Sequence, residues 1–133
     1  MIRLTMLLVL FLGMQAGEYV VVTSRQSPID TLSEKKLRDI FLKKRQFVDG
    51  IQVLPINLSP TDPIRIAFEE RVLQMDRESL SEHWVVRHYQ GIKPPIVQRS
   101  ERGVQAFVIN QPGALGYLKK EMLDGGMKVL YEF

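Results

Sequence analysis

Short β-branched runs alternate along the chain with stretches in which apolar residues recur every three or four positions, the marks of strands and amphipathic helices respectively. Tyr19-Val20-Val21-Val22, bounded by Thr23-Ser24, predicts a buried strand. Thr31-Leu32-Ser33-Glu34 has the spacing of a capping box, with the Thr31 hydroxyl accepting from the Glu34 amide and the Glu34 carboxylate returning to Thr31. Leu37, Ile40 and Phe41 then give one apolar helix face. Lys43, Lys44 and Arg45 follow where a helix C-terminus favours positive charge. Asp49-Gly50 signals a turn, and Ile51 to Leu58 reads as the second strand. Pro55 lacks an amide hydrogen, which predicts an edge or a bulge at that point.

Further on, Asp62-Pro63 opens a helix, aspartate at the cap and proline at the first helical position, with Ile64, Ala67, Phe68 and Val72 inward. Asp76 caps a third helix, with Met75 and Leu80 placed as a hydrophobic staple. Leu80, Trp84 and His88 share a face there, so His88 is expected beside Trp84. Pro94-Pro95 forces an extended segment. Ser100-Glu101 starts a fourth helix with Val104, Phe107 and Val108 inward, ending near Gln111-Pro112-Gly113. Leu115 to Leu118 and Met127 to Tyr131 predict two last strands. Such alternation predicts an α/β fold, a central mixed sheet flanked by helices, as one domain over residues 17–133.

The N-terminus changes the expected address. Met1-Ile2-Arg3, an apolar run from Leu4 to Met14, and Gln15-Ala16-Gly17 have the layout of a secretory signal, so residues 1–16 are expected to be a signal peptide and the domain periplasmic. As a helix the apolar run reaches about 16 Å, half of the roughly 30 Å hydrocarbon core, so no stable membrane span is expected.

Composition narrows the chemistry. In 133 residues, 45% are hydrophobic and 25% charged, as in an ordinary globular domain. The formal charge of +3 gives no reason to expect nucleic acid. The absence of cysteine removes disulfides, thiolate metal sites and thiol nucleophiles. His83 and His88 are five apart and do not form an i, i+4 metal pair, and the adjacent Glu69 and Glu70 point apart. No nucleophile elbow, phosphate-cradling glycine loop or zinc spacing is present. These features point to a binding domain, neither an enzyme nor the holder of a metal or cofactor.

Five segments occur in a familiar order. Leu32-Ser33 with Leu37-Arg38-Asp39-Ile40-Phe41, the aromatic Phe47 before Asp49-Gly50, the strand Val53-Leu54-Pro55-Ile56-Asn57, the helix with Arg65 and Phe68, and Val104 to Val108 followed by Pro112-Gly113-Ala114-Leu115-Gly116-Tyr117 together resemble the phosphate-binding proteins of ABC transporters, within the periplasmic binding protein superfamily. The resemblance runs from about Tyr19 to Val129 and is nearest to short, single-lobe members. It implies one α/β lobe of a two-lobed clamshell, and a small oxyanion such as phosphate as ligand. Free amides and the positive end of a helix would hold that ligand, with hydroxyls adding directional bonds.

The equivalent loop is Ser59-Pro60-Thr61-Asp62-Pro63. The resemblance makes Ser59, Thr61, Asp62 and Arg65 candidate ligand residues, each with a plainer alternative: loop hydroxyls, a helix cap, and an Arg65 pair with Glu69. Thr23 and Ser24 join them because open α/β sheets place ligand loops at strand C-termini. Two departures from the family pattern stand out. The arginine expected just before the loop is replaced near Asn57 or Leu58, and Asp62 stands near where a serine belongs, ahead of a proline without an amide. Two like charges at ~4 Å cost about 4 kcal/mol at an effective dielectric of 20, more than the ~0.3–1 kcal/mol of a helix terminus. The alternative function is therefore a lobe whose anion site has decayed and whose surface recognises an envelope protein or transporter. Pairing of two copies to rebuild a cleft is a further alternative.

Overall fold

A computed structural model describes residues 17–133, so the signal expected over 1–16 lies outside the described residues. Strand β1 (Tyr19–Ser24) leads to helix α1 (Glu34–Phe41), the short β2 (Phe47–Val48) and β3 (Ile51–Gln52), and β4 (Leu54–Leu58). Helix α2 (Pro63–Phe68) continues as a π-helical turn over Glu69–Leu73, followed by α3 (Arg77–Tyr89), β5 (Ile96–Gln98) and α4 (Glu101–Asn110). Strand β6 (Ala114–Lys119), a 3-10 turn (Lys120–Met122) and β7 (Met127–Glu132) complete the order. One sheet has the order β5-β4-β6-β1-β7, with β4 parallel to β5 and β6 and β1 antiparallel to β6 and β7. The mixed α/β sheet flanked by helices is thus present as expected.

Alternation within β6 divides the layers. Gly116 lies under α4, where a Cβ would sit 2.5 Å from the Val104 Cγ1. The next residue, Tyr117, faces the other way and stacks on Phe68 of α2 at 4.3 Å, with Phe41 of α1 at 5.9 Å. Helix α4 therefore covers one face, and α1 and α2 the other. Val20, Val21 and Val22 of β1 are fully buried between these layers.

Several local expectations are corrected. The cap of α1 is Ser33, whose hydroxyl accepts from the Lys36 amide, and Thr31 is not the cap. Glu34 instead accepts from Arg38 at 2.7 Å, Gln74 at 2.7 Å and the Tyr131 hydroxyl at 3.1 Å. These three donors offer its carboxylate more than one backbone amide would. The predicted strand over 51–58 is two strands. Ile51–Gln52 folds back on Phe47–Val48 across the Asp49-Gly50 turn, where both residues have positive φ (50° and 79°) as a two-residue hairpin demands. Pro55 sits in β4, which has neighbours on both sides, yet pairing to β5 starts only at Ile56. Its missing amide thus falls where the strand is locally an edge, as the proline required. The extended segment after Pro94-Pro95 is itself the edge strand β5.

Caps at Asp62, Asp76 and Ser100 stand where the sequence put them. His88 is exposed, and it is His83 whose ring packs on Trp84 at 4.6 Å and whose Nε2 meets the Leu42 carbonyl at 2.8 Å. The helical register that joined His88 to Trp84 is real, but α3 buries only Leu80, and Val86, His88 and Tyr89 in its C-terminal turn are exposed.

Candidate functional site

Strand β4 delivers the Ser59-Pro60-Thr61 loop to its C-terminal end, and the loop closes with the Asp62 amide donating to the Ser59 carbonyl at 2.9 Å. The Asp62 side chain accepts from the Ile64 amide at 2.8 Å, and Pro63 follows at the first helical position. A helix start normally offers several free amides to an anion. Here proline supplies none and the Ile64 amide is spent on Asp62, so the first turn offers an anion little beyond the Arg65 amide.

The cations beside the loop are also committed. Arg65 donates from Nε to Glu69 at 3.0 Å and from Nη1 to the Leu58 carbonyl at 2.9 Å. Arg77 donates from Nε to the other Glu69 oxygen at 2.5 Å and from Nη2 to the Pro60 carbonyl. Glu69 is only 6% exposed, so one buried carboxylate is shared between two guanidinium groups that also hold the loop backbone. Its neighbour Glu70 points to solvent. The adjoining cavity of about 550 Å³ is lined by Glu69, Glu70, Asp76 and Arg77 among others, so carboxylates outnumber cations on its wall.

Behind the loop, the buried Tyr117 hydroxyl donates to Asn57 Oδ1 at 2.8 Å and accepts from the Leu58 amide at 3.2 Å. Burial, first of all, pushes the tyrosine pKa well above its ordinary value, so the hydroxyl keeps its proton and remains a donor. This pair fixes the backbone of β4 one residue before the loop.

Of the candidate residues, Ser59, Thr61, Asp62 and Arg65 lie together at this end, with Asp62 and Arg65 in the cap and ion-pair arrangements. Thr23 and Ser24 do not join them. Strand β1 runs antiparallel to β6, which is parallel to β4, so the C-terminus of β1 lies at the opposite end of the sheet. There Thr23 donates to the Ala114 carbonyl at 2.9 Å, and the Ser24 hydroxyl accepts from the Gln26 amide at 3.2 Å. The sequence foresaw the Arg65 pair with Glu69, but not the burial of Glu69, its second partner Arg77, or Tyr117 behind the loop. The i+4 spacing of Glu69 from Arg65 was visible, whereas the reach of Arg77 depends on the left-handed Gln74 (φ 54°) that turns α3 back. Among the described residues no group of three metal-ligating side chains forms, and no helix is long and apolar enough to cross a membrane.

No protein-family model matches the chain, and no curated protein matches it in sequence. Solved structures do match in fold. A phosphate ABC transporter substrate-binding protein with bound phosphate from Clostridium perfringens superposes with a TM-score of 0.69 at 14% identity, over 86% of this chain and 44% of that one. An ABC-type phosphate transport receptor from Vibrio cholerae gives 0.68 at 12% identity, over 86% and 45%. PstS from Borrelia burgdorferi gives 0.65 at 16% identity, over 86% and 46%. The chain spans less than half the length of each of these proteins. It has the fold of a periplasmic binding protein lobe of the PstS type, as its motif order implied.

Proposed function

We propose that this chain is a periplasmic solute-binding-type lobe whose oxyanion position is filled by its own Glu69 carboxylate, and that it acts as an interaction module for an envelope protein or transporter. The observation that carries this reading is the double ion pair from Arg65 and Arg77 to one buried carboxylate. A phosphate that took Arg65 or Arg77 as its partner would have to displace Glu69, and it would meet Asp62 at the same helix start. The contact with Asp62 alone, at ~4 Å, costs about 4 kcal/mol at an effective dielectric of 20, more than a single remaining amide returns. No catalytic role is part of this reading.

Phosphate capture is the second reading, favoured by the phosphate-bound structure that shares the fold. Residue-resolved NMR separates the two. With millimolar phosphate the amides of Thr61, Ile64 and Arg65 stay in place if Glu69 closes the site, and saturable shifts at those three would replace this reading with phosphate capture. The periplasmic address over 1–16 is tested by fractionating cells that express the full chain. A product in the periplasm without residues 1–16 is expected, and a cytosolic product that keeps Met1 would remove the envelope from the account.

A further inference from the structure

At the other end of β4 lies a cavity of about 200 Å³, walled by the exit of α1, the β2–β3 hairpin and the connection from α3 to β5. Lys43, Arg45 and Lys93 line it, with the Gln46 and Gln52 amides, and no aspartate or glutamate does. We infer that this cavity is a binding site for a phosphate group, separate from the loop after β4 and independent of what that loop does.

Charge is the first argument. Lys43, Arg45 and Lys93 have no carboxylate partner among the described residues, a trait they share with other surface cations, but these three meet around one cavity that no carboxylate lines. Three cations around one small cavity repel one another, and a dianion relieves that repulsion best. A phosphomonoester carries about −1.5 to −2 charges at neutral pH.

Those cations have no other evident task. Basic residues after a helix often satisfy its last carbonyls, but here the backbone does so. The Lys44 and Arg45 amides donate to the Asp39 carbonyl at 2.8 and 3.1 Å, the Lys43 amide to the Ile40 carbonyl at 3.0 Å, and His83 meets the Leu42 carbonyl. Lys43 also holds a left-handed backbone (φ 60°), a post-helix position that glycine usually fills. A lysine is kept there at a conformational cost and is half-buried, and burial pushes its pKa down. A bound anion offsets that desolvation.

Size and surroundings set the ligand class. The volume is below the ~300–1,000 Å³ of sites for larger small molecules, so a head group fits and a large solute does not. At the rim, Phe47 is 57% exposed and pairs across the hairpin with Gln52, an apolar tip beside a cationic pocket. The phosphate group comes either from a free solute or from the head group of an anionic lipid. Leu54 and Leu58 are four strand residues apart, about 13 Å, so NMR distinguishes this site from the Ser59–Asp62 loop.

The test titrates the full chain with inorganic phosphate, and separately with phosphatidylcholine vesicles with and without phosphatidic acid, at constant ionic strength. Saturable shifts at Lys43, Arg45, Gln52 and Lys93, or vesicle binding that requires phosphatidic acid, are expected. Lys43→Gly and Lys93→Gln should each weaken binding about ten-fold, the usual scale for a charged hydrogen bond. Lys43→Gly also relieves the left-handed backbone, so its loss of binding does not come from unfolding. Binding of free phosphate unaffected by Phe47→Ser identifies a solute, and vesicle binding lost in Phe47→Ser identifies a lipid head group. No response to either probe, or equal binding by wild type and both charge variants, overturns the inference. Movement of Thr61 and Ile64 alone would contradict both this inference and the closed loop, whereas movement at Lys43 and Lys93 leaves the closed loop untouched.

Discussion

Tyr117 holds Asn57 and the Leu58 amide with a single hydroxyl in a fully buried position. Tyr117→Phe leaves both partners without it, and a loss of about 1–3 kcal/mol is expected in denaturant unfolding. The same group sets an alkaline limit. Its native pKa is raised above the unfolded value of about 10, so the native state holds a proton that the unfolded chain releases as pH passes that value. Its stabilisation is complete below pH ~10 and declines above it. The stability gap between wild type and Tyr117→Phe should therefore narrow above that pH in parallel thermal melts. Asp62→Ala, which removes the α2 cap, is expected to cost about 1 kcal/mol. At this scale the caps at Asp62, Asp76 and Ser100 were legible because a cap is a local bargain between one side chain and one or two amides. The Arg65 pair with Glu69 was legible as well, but the second pair from Arg77 was not, because it spans eight residues across the left-handed turn at Gln74.

Between elements, α4 packs tightly on β6. A methyl at position 116 would strike Val104, so Gly116→Ala should destabilise by about 1–3 kcal/mol through overpacking, measured by urea unfolding. Lys43→Gly should act in the opposite sense, gaining up to about 1 kcal/mol at a left-handed position. Hydrophobic runs announced most strands, but a run of valines carries no arrow. Whether β1 lies parallel or antiparallel to β6 is settled by tertiary pairing, and that direction alone moved Thr23 and Ser24 to the far end of the sheet. The β2–β3 hairpin was read only as a turn because two-residue strands have no periodicity to detect. The edge strand β5, three residues long after two prolines, escaped for the same reason.

For the whole molecule, the order of five motifs foretold the fold more reliably than any single motif, since each fits many folds and their sequence fits few. Function does not follow so directly, because the same lobe presents a helix start that an anion would use and a carboxylate that occupies it. On the proposed function, Glu69 and Asp62 together keep external anions out of the loop after β4. The most direct measurement compares wild type with an Asp62→Ser/Glu69→Gln double variant, following the Thr61 and Ile64 amides by NMR while phosphate is added. No movement is expected in the wild type, and saturable shifts are expected in the folded double variant, where Arg65 and Arg77 are released to the ligand. Saturation of the wild type with equal or higher affinity would contradict that exclusion of anions.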